Sequence, residues 1–387
     1  MSLHVHALAP GYEQVADLAE HLLSRDPHWT FQLVVHAEQD TVVDLHAGAG
    51  YGGAVHVQAS ATKGIAGLTL ALALQENGVG VHEPVARLWP QFAAAGKRDV
   101  TIAELFSHQA GLLRTVQRFS PRQWGEGRAV AADLAAQQPL WAPGRAHGYH
   151  ALSIGPLADE VVHRLTGTAL REYYEQRLRS PAAVDFWIRL PDAEQHRLHR
   201  VTVPTAPPGP GPCAPDPAPG RPGTLLRAAT EQLDAMGPAN SWINAPALRA
   251  AGIPSVSGCG SARGLADAYA TATGVGGHRP LLRSGTLDAV TRSQVSGRDL
   301  VLGGSTHFAV LFEKPSPRLD FGTAAAFGHD GAGGALAFAD PGTRLAFGYT
   351  TAAVPAPAGA DPRALAFARL LRRLRTGERS RWPPPQR

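Results

Sequence analysis

Residues 12–23 read as a helix, and after them the pattern changes to two short apolar runs, 31–35 and 41–45. The polar turn Glu38-Gln39-Asp40 separates the runs, which predicts a β-hairpin. Residues 60–75 behave differently. Ile65, Leu68, Leu70, Leu72 and Leu74 leave almost no polar face, so this segment is expected to be a helix buried inside the fold, ending at Asn77-Gly78.

Residues 100–167 pattern as mainly helical, with loops at Gly111, Pro143-Gly144 and Gly148 and a last helix over about 152–165. Between 204 and 223 a Pro/Gly-rich run can sustain neither a helix nor a central strand, and it reads as a surface loop; a linker between separable domains is the competing reading. Strand-like runs return at 308–312, 334–339 and 344–349, followed by a helix over 362–374. Strands at both ends with helices between them predict an α+β fold in which the N- and C-terminal segments share one antiparallel sheet. On this reading residues 1–387 form one catalytic unit. Its α/β region covers about 1–75 and 300–387, and its mainly helical region covers about 76–299.

The composition is that of a globular protein: of 387 residues 44% are hydrophobic and 18% charged, and the 42 Gly and 32 Pro imply many turns. The net charge of +4 is concentrated toward the basic C-terminal stretch, which lacks interleaved aromatics or a binding motif, so no nucleic-acid partner is expected. The N-terminus lacks the cationic start and apolar run of a secretory signal, and no stretch offers the ~20 apolar residues of a membrane span. A cytoplasmic location without membrane association follows as an expectation. Cys213 and Cys259 make no disulfide framework, and the 17 histidines show no metal-ligand spacing, so neither a metal nor another cofactor is expected.

Chemistry concentrates at Ser60-Ala61-Thr62-Lys63, where the buried helix starts. Residues three apart lie on one helical face, so the Lys63 amine can reach the Ser60 hydroxyl. Serine is a weak nucleophile until a base takes its proton, and lysine is such a base only when its amine is largely neutral. Burial and the positive end of the helix dipole both favour neutrality. The same helix start offers the Ser60 N–H to an oxyanion. A lone S-x-x-K is a weak signal, but lysine occurs at Lys63, Lys97 and Lys314 alone, and an unpaired buried lysine is costly.

This motif, followed by a long apolar helix and by Leu105-Phe106-Ser107-His108-Gln109-Ala110-Gly111-Leu112, resembles the serine β-lactamase and penicillin-binding-protein superfamily, and more narrowly its esterase-like, class C-related branch. The resemblance implies a β-lactamase/transpeptidase-like fold. It implies that Tyr149, in the place of the tyrosine of Y-x-N, is a second catalytic residue whose phenol, lowered in pKa beside a lysine ammonium, shuttles the Ser60 proton. His108 is expected to pack a loop near the cleft, and Ser261-Ala262-Arg263-Gly264 to lead a scaffold helix. The third element, usually K-T-G, stands as His329-Asp330-Gly331. There Gly331 would let substrate lie close to the backbone, the Ala332 N–H would be a second oxyanion donor, and His329 would give the substrate a hydrogen bond or positive charge.

Ala151 stands where the asparagine of Y-x-N would be, which argues against β-lactam or peptide turnover and toward esters. The expected activity is therefore acyl-enzyme formation on Ser60 from a small-molecule ester. Water as the second nucleophile makes the chain an esterase; an amine or alcohol acceptor makes it a transacylase. A binding protein that has lost turnover and a metal-dependent hydrolase are the rivals from other classes.

Overall fold

The computed structural model describes residues 1–48, 51–203, 223–237 and 242–377. Its main sheet has six strands, all antiparallel, in the order Leu3–Leu8, Asp40–Ala47, Phe31–Ala37, Leu345–Thr351, Leu336–Asp340 and Phe327–Asp330. Both chain ends contribute to it, as the distribution of strands predicts. The Phe31–Ala37 and Asp40–Ala47 strands form the expected hairpin, and the first of them is buried along its whole length.

Two-sided burial of that strand follows from what covers each face. Phe31, Leu33 and Val35 pack with side chains of the Glu13–Arg25 and Pro362–Thr376 helices. Val34 points the other way, onto Ala262 and Ala266 of the Ala262–Thr273 helix. That helix starts where expected, with the Ser261 side chain accepting from Gly264 N. It lies so close to the sheet that a Cβ on Gly348 would sit 2.0 Å from Ala262 O. Glycine is required there by contact rather than by backbone conformation.

Beyond the sheet, the Thr62–Glu76 helix is buried from Thr62 through Leu74 and runs through the largest core cluster, in contact with the Ile154–Thr166 helix. Thirteen consecutive buried positions explain the missing polar face. Asn77 closes it, as the sequence suggests.

Three local expectations need correction. The strand expected at 308–312 is instead Ser305–Phe308, paired with Val295–Arg298, and beyond Phe308 the chain leaves that ladder and turns through Leu311 at φ +63°. Ala309, Val310, Leu311 and Phe312 are apolar because they fill the core, not because they alternate across a sheet. The ladder expected at 334–339 starts at Leu336; Gly333-Gly334 pairs with Gly359–Ala360 instead. An edge strand, Leu3–Leu8, escaped the pattern because its middle residues His4, Val5 and His6 are all exposed. Of the Pro/Gly-rich segment read as a surface loop, residues 204–222 lie outside the described residues, as does Cys213. Among the described residues no helix is long and apolar enough to cross a membrane.

Candidate active site

The helix proper starts at Thr62 rather than at Ser60, and Ser60 sits in a short 3-10 turn, Ala59–Ala61, that feeds the Thr62–Glu76 helix. Ala59 is held at φ +47°, a conformation that L side chains seldom adopt. The turn leaves Ser60 partly exposed while Lys63, three residues on, is completely buried. The Lys63 Nζ donates to Ala151 O at 2.7 Å and Ser255 O at 2.9 Å, and lies 3.2 Å from Ser60 Oγ. Two of its three directions are thus fixed by carbonyl acceptors, and the third faces the serine. Burial pulls the amine down to about 7, against the upward pull of the Glu313 and Asp330 carboxylates. A neutral amine bound in this way keeps both hydrogens on the carbonyls and turns its lone pair to Ser60 Oγ.

Tyr149 comes from a separate loop. Its ring lies under the amine, with Nζ 4.9 Å from the centroid, and its hydroxyl is within hydrogen-bonding reach of Ser60. The expected fall in its pKa is not found: burial, reinforced by the Glu313 charge, pushes the phenol well above its usual value, and the hydrogen bond shared with Ser60 offsets little of this. Tyr149 is therefore a neutral O–H donor, and Lys63 is the group poised between protonation states.

The loop over residues 147–151 is pinned by groups distant in sequence. Tyr149 N donates to Asp299 Oδ1, and His150 N donates to Nδ1 of His108, which is buried at φ +66°. His150 in turn accepts from Leu112 N at Nε2 and gives its Nδ1 hydrogen to Gly148 O. Both imidazoles are held neutral by burial, His150 at about 4. The packing role expected of His108 fits this arrangement.

The third element lies against the serine turn. A Cβ on Gly331 would be 2.2 Å from Gln58 O and 3.2 Å from Ala61 N, so this backbone can approach only as glycine. Ala332 is partly buried, and its N–H has no acceptor among the described residues. His329 departs from expectation. It is buried, and burial together with the neighbouring Lys63 pulls it down to about 3, so it carries no positive charge. Its Nδ1 faces Asp330 O at 2.8 Å and Glu313 Oε2 at 3.4 Å and must be the donor. Nε2, without a partner among the described residues, then offers a lone pair rather than a hydrogen.

Glu313 and Arg318 carry no motif and were not foreseen. Arg318 bridges the Glu313 and Asp330 carboxylates. Burial raises the Glu313 carboxyl; at Asp330 burial pulls the same way, but the Arg318 charge and hydrogen bond outweigh it and hold that carboxyl below its ordinary range. Glu313, His329 and Asp330 offer ligand atoms within 4.8 Å of one another, a spacing that could hold a metal ion. The guanidinium already supplies the positive charge those two carboxylates require, so the donor set does not call for a cation. Neither Ser255 nor Asp299 had a sequence signal, because each acts through contacts made across the fold.

A family model described as Beta-lactamase matches residues 33–370. Among solved structures, EstA from Arthrobacter nitroguajacolicus Rue61a is 34% identical and superposes with a TM-score of 0.86 over 97% of this chain and 99% of that one. A family VIII carboxylesterase is 30% identical, with a TM-score of 0.82 over 96% of this chain and all of that one. Esterase/beta-lactamase LipL of Mycobacterium tuberculosis (strain ATCC 25618 / H37Rv) is 33% identical over 133 residues. That match spans 33% of this chain and 29% of the relative's length.

Proposed function

The chain belongs to the beta-lactamase family, and from that premise we propose that it is a serine esterase with Ser60 as nucleophile, Lys63 as base and Tyr149 as proton donor. The observation that carries this reading is the Lys63 amine, bound by two carbonyls and directed at Ser60 Oγ from 3.2 Å. Neutral Lys63 takes the Ser60 proton as Oγ bonds to the ester carbonyl carbon. The oxyanion so formed is held by the Ser60 and Ala332 N–H groups. Its collapse breaks the bond to the alcohol oxygen, which takes the Tyr149 proton, and the Lys63 ammonium then restores the phenol. Water, giving up a proton by the same route in reverse, releases the acid and regenerates Ser60.

Two observations favour esters over β-lactams or peptides. Ala151 presents a methyl group where the Y-x-N pattern has an amide, and its carbonyl is committed to Lys63. The similar proteins of comparable length include EstA and a family VIII carboxylesterase. If an amine or alcohol intercepts the acyl-enzyme the same first step yields acyl transfer, the alternative function. Stopped-flow hydrolysis of p-nitrophenyl acetate is expected to give a burst of p-nitrophenol and an acetylated enzyme by intact mass. Neither is expected for Ser60→Ala, and a Ser60→Ala rate equal to the parent's refutes the assignment. Adding amines or alcohols and weighing the products separates hydrolysis from transfer.

A further inference from the structure

The edge strand Leu3–Leu8 pairs with Asp40–Ala47, and this pairing brings three imidazoles to one place. His4 lies directly opposite His46 in the ladder. Val5 pairs with Leu45 and Ala7 with Asp44, so His6 is the extra residue of a β-bulge. A bulge re-aims the side chain it carries. Here the His6 ring meets His46, with its Nε2 3.0 Å from His46 Nδ1. The His4 ring stacks on His46, the centroids 4.7 Å apart and the planes within 6°. No spacing along the chain announces this group, because His46 stands 40 residues after His6.

The surroundings leave room beside this pair. His6 and His46 line a hollow of about 380 Å³ together with Gly52, Asp44 and Asp185. A Cβ on Gly52 would come within 3.0 Å of His46 Cε1, so glycine leaves that ring free to tilt. The Asp44 and Asp185 carboxylates are taken up by Arg263 and Arg197, which leaves imidazole nitrogen as the donor type on offer. Burial, with the charges that His4 and His6 would carry, holds His46 below its ordinary value and so in the neutral form that ligates metals. Two neutral imidazoles with nitrogens this close either share a hydrogen bond or hold one ion. Zinc takes imidazole nitrogen at about 2.0–2.1 Å, which in a tetrahedron sets two nitrogens about 3.3 Å apart, so the 3.0 Å gap opens by only about 0.3 Å to admit it.

We propose that His4, His6 and His46 form a binding site for a borderline divalent cation of the zinc, nickel or copper(II) class. Imidazole suits these ions, whereas calcium and magnesium need the oxygen ligands that the two arginines already engage. His6 binds through Nε2 and His46 through Nδ1. The hydrogen they share moves to the outer nitrogen of its own ring, so two neutral rings release no proton on binding. His4, exposed and held by Ser2 Oγ at 3.3 Å, supplies the third nitrogen by turning off the face of His46. Water completes the tetrahedron. The bound ion fastens the edge strand to its neighbour, and the site neither needs nor alters the serine-esterase reading.

The test is isothermal titration of the chelator-stripped full chain, carrying no polyhistidine tag, with zinc chloride near neutral pH. Saturable binding of zinc is expected, with the affinity reduced about tenfold or more in His4→Ala and in His6→Ala separately. Both side chains are exposed, so the metal-free variants are expected to melt with the parent. Zinc is expected to raise the melting temperature of the parent, and the rise to disappear in the double variant. Copper(II) on the parent reads the ligands without any substitution: its electron spin echo is expected to carry the modulation of the remote nitrogen of a coordinated imidazole. No saturable zinc binding, parental affinity in either single variant, or a copper echo without that modulation overturns the proposal.

Discussion

With Ala151 O and Ser255 O each taking a hydrogen, the Lys63 amine has one direction left for its lone pair or third proton, and Ser60 lies there. Because burial brings the amine down to about 7, ester hydrolysis is expected to rise with pH through that value and level off above it, where the amine is neutral. Lys63→Arg, which keeps the charge but cannot surrender it, is expected to lose about a thousandfold or more. The position of that limb also reports on Asp330, which Arg318 keeps ionised. Its negative charge favours the ammonium, so Asp330→Asn removes support for the protonated form and leaves Arg318 with less compensation. Both effects act in one direction and move the limb to lower pH. A pH–rate profile of kcat/KM for both proteins reads the shift, and an unmoved or alkaline-shifted limb contradicts this account.

Among the elements, the loop over residues 147–151 does the most for its size. It carries the Tyr149 hydroxyl outward and the Ala151 carbonyl inward, so one segment positions both the proton donor and an anchor of the base. Its conformation depends on two neutral imidazoles locked into defined tautomers, with His108 accepting from His150 N and His150 accepting from Leu112 N. Replacing His150 by Leu strands the Leu112 N–H and the Gly148 carbonyl, at about 1–3 kcal/mol for each buried group. Steady-state kinetics are expected to show kcat reduced more than KM is raised, and urea unfolding to show lost stability. Intact kcat with lost stability alone makes His150 a packing residue and nothing more. The pattern around His108 marked its own stretch, residues 105–112, as shaping a loop near the cleft, but the hydrogen bond from His150 N to His108 had no signature, since residues 108 and 150 meet only when the loop folds back.

At the scale of the whole molecule, the sheet is closed by strands from both ends of the chain, and the Ala262–Thr273 helix lies flat on it. This helix joins the sheet to the helical region through Tyr269, which packs near Phe312 and Phe327 and sits against Gly64 of the Thr62–Glu76 helix. The close contact at Gly348 holds that layer in place. Gly348→Ala forces a methyl group into a 2.0 Å gap against backbone, which has no rotamer with which to move away. A loss of about 2–3 kcal/mol in urea unfolding is expected, with reduced activity because the displaced helix loosens Gly64 and its neighbours. A variant as stable as the parent contradicts the rigid packing described here.

The sequence by itself determined what depends on near neighbours: the Ser60–Lys63 spacing on one helical face, the hairpin, the buried helix behind the serine, and the order of the three motifs. Patterns of period two and three and a half, and residues three apart, are local geometry, and local geometry is written directly in the chain. The 308–312 run shows the limit, since an apolar stretch filling a core reads like a strand. The apolar context of Lys63 already pointed to a neutral amine, but only the tertiary structure decided the protonation states of Tyr149 and His329. The acceptors that orient Lys63 lie 88 and 192 residues away, and the phenol of Tyr149 and the ring of His329 are neutral because burial, reinforced by Glu313 at the phenol and by Lys63 at the ring, disfavours their charged forms. Desolvation belongs to a place in the fold rather than to a residue type, so no motif could have announced it.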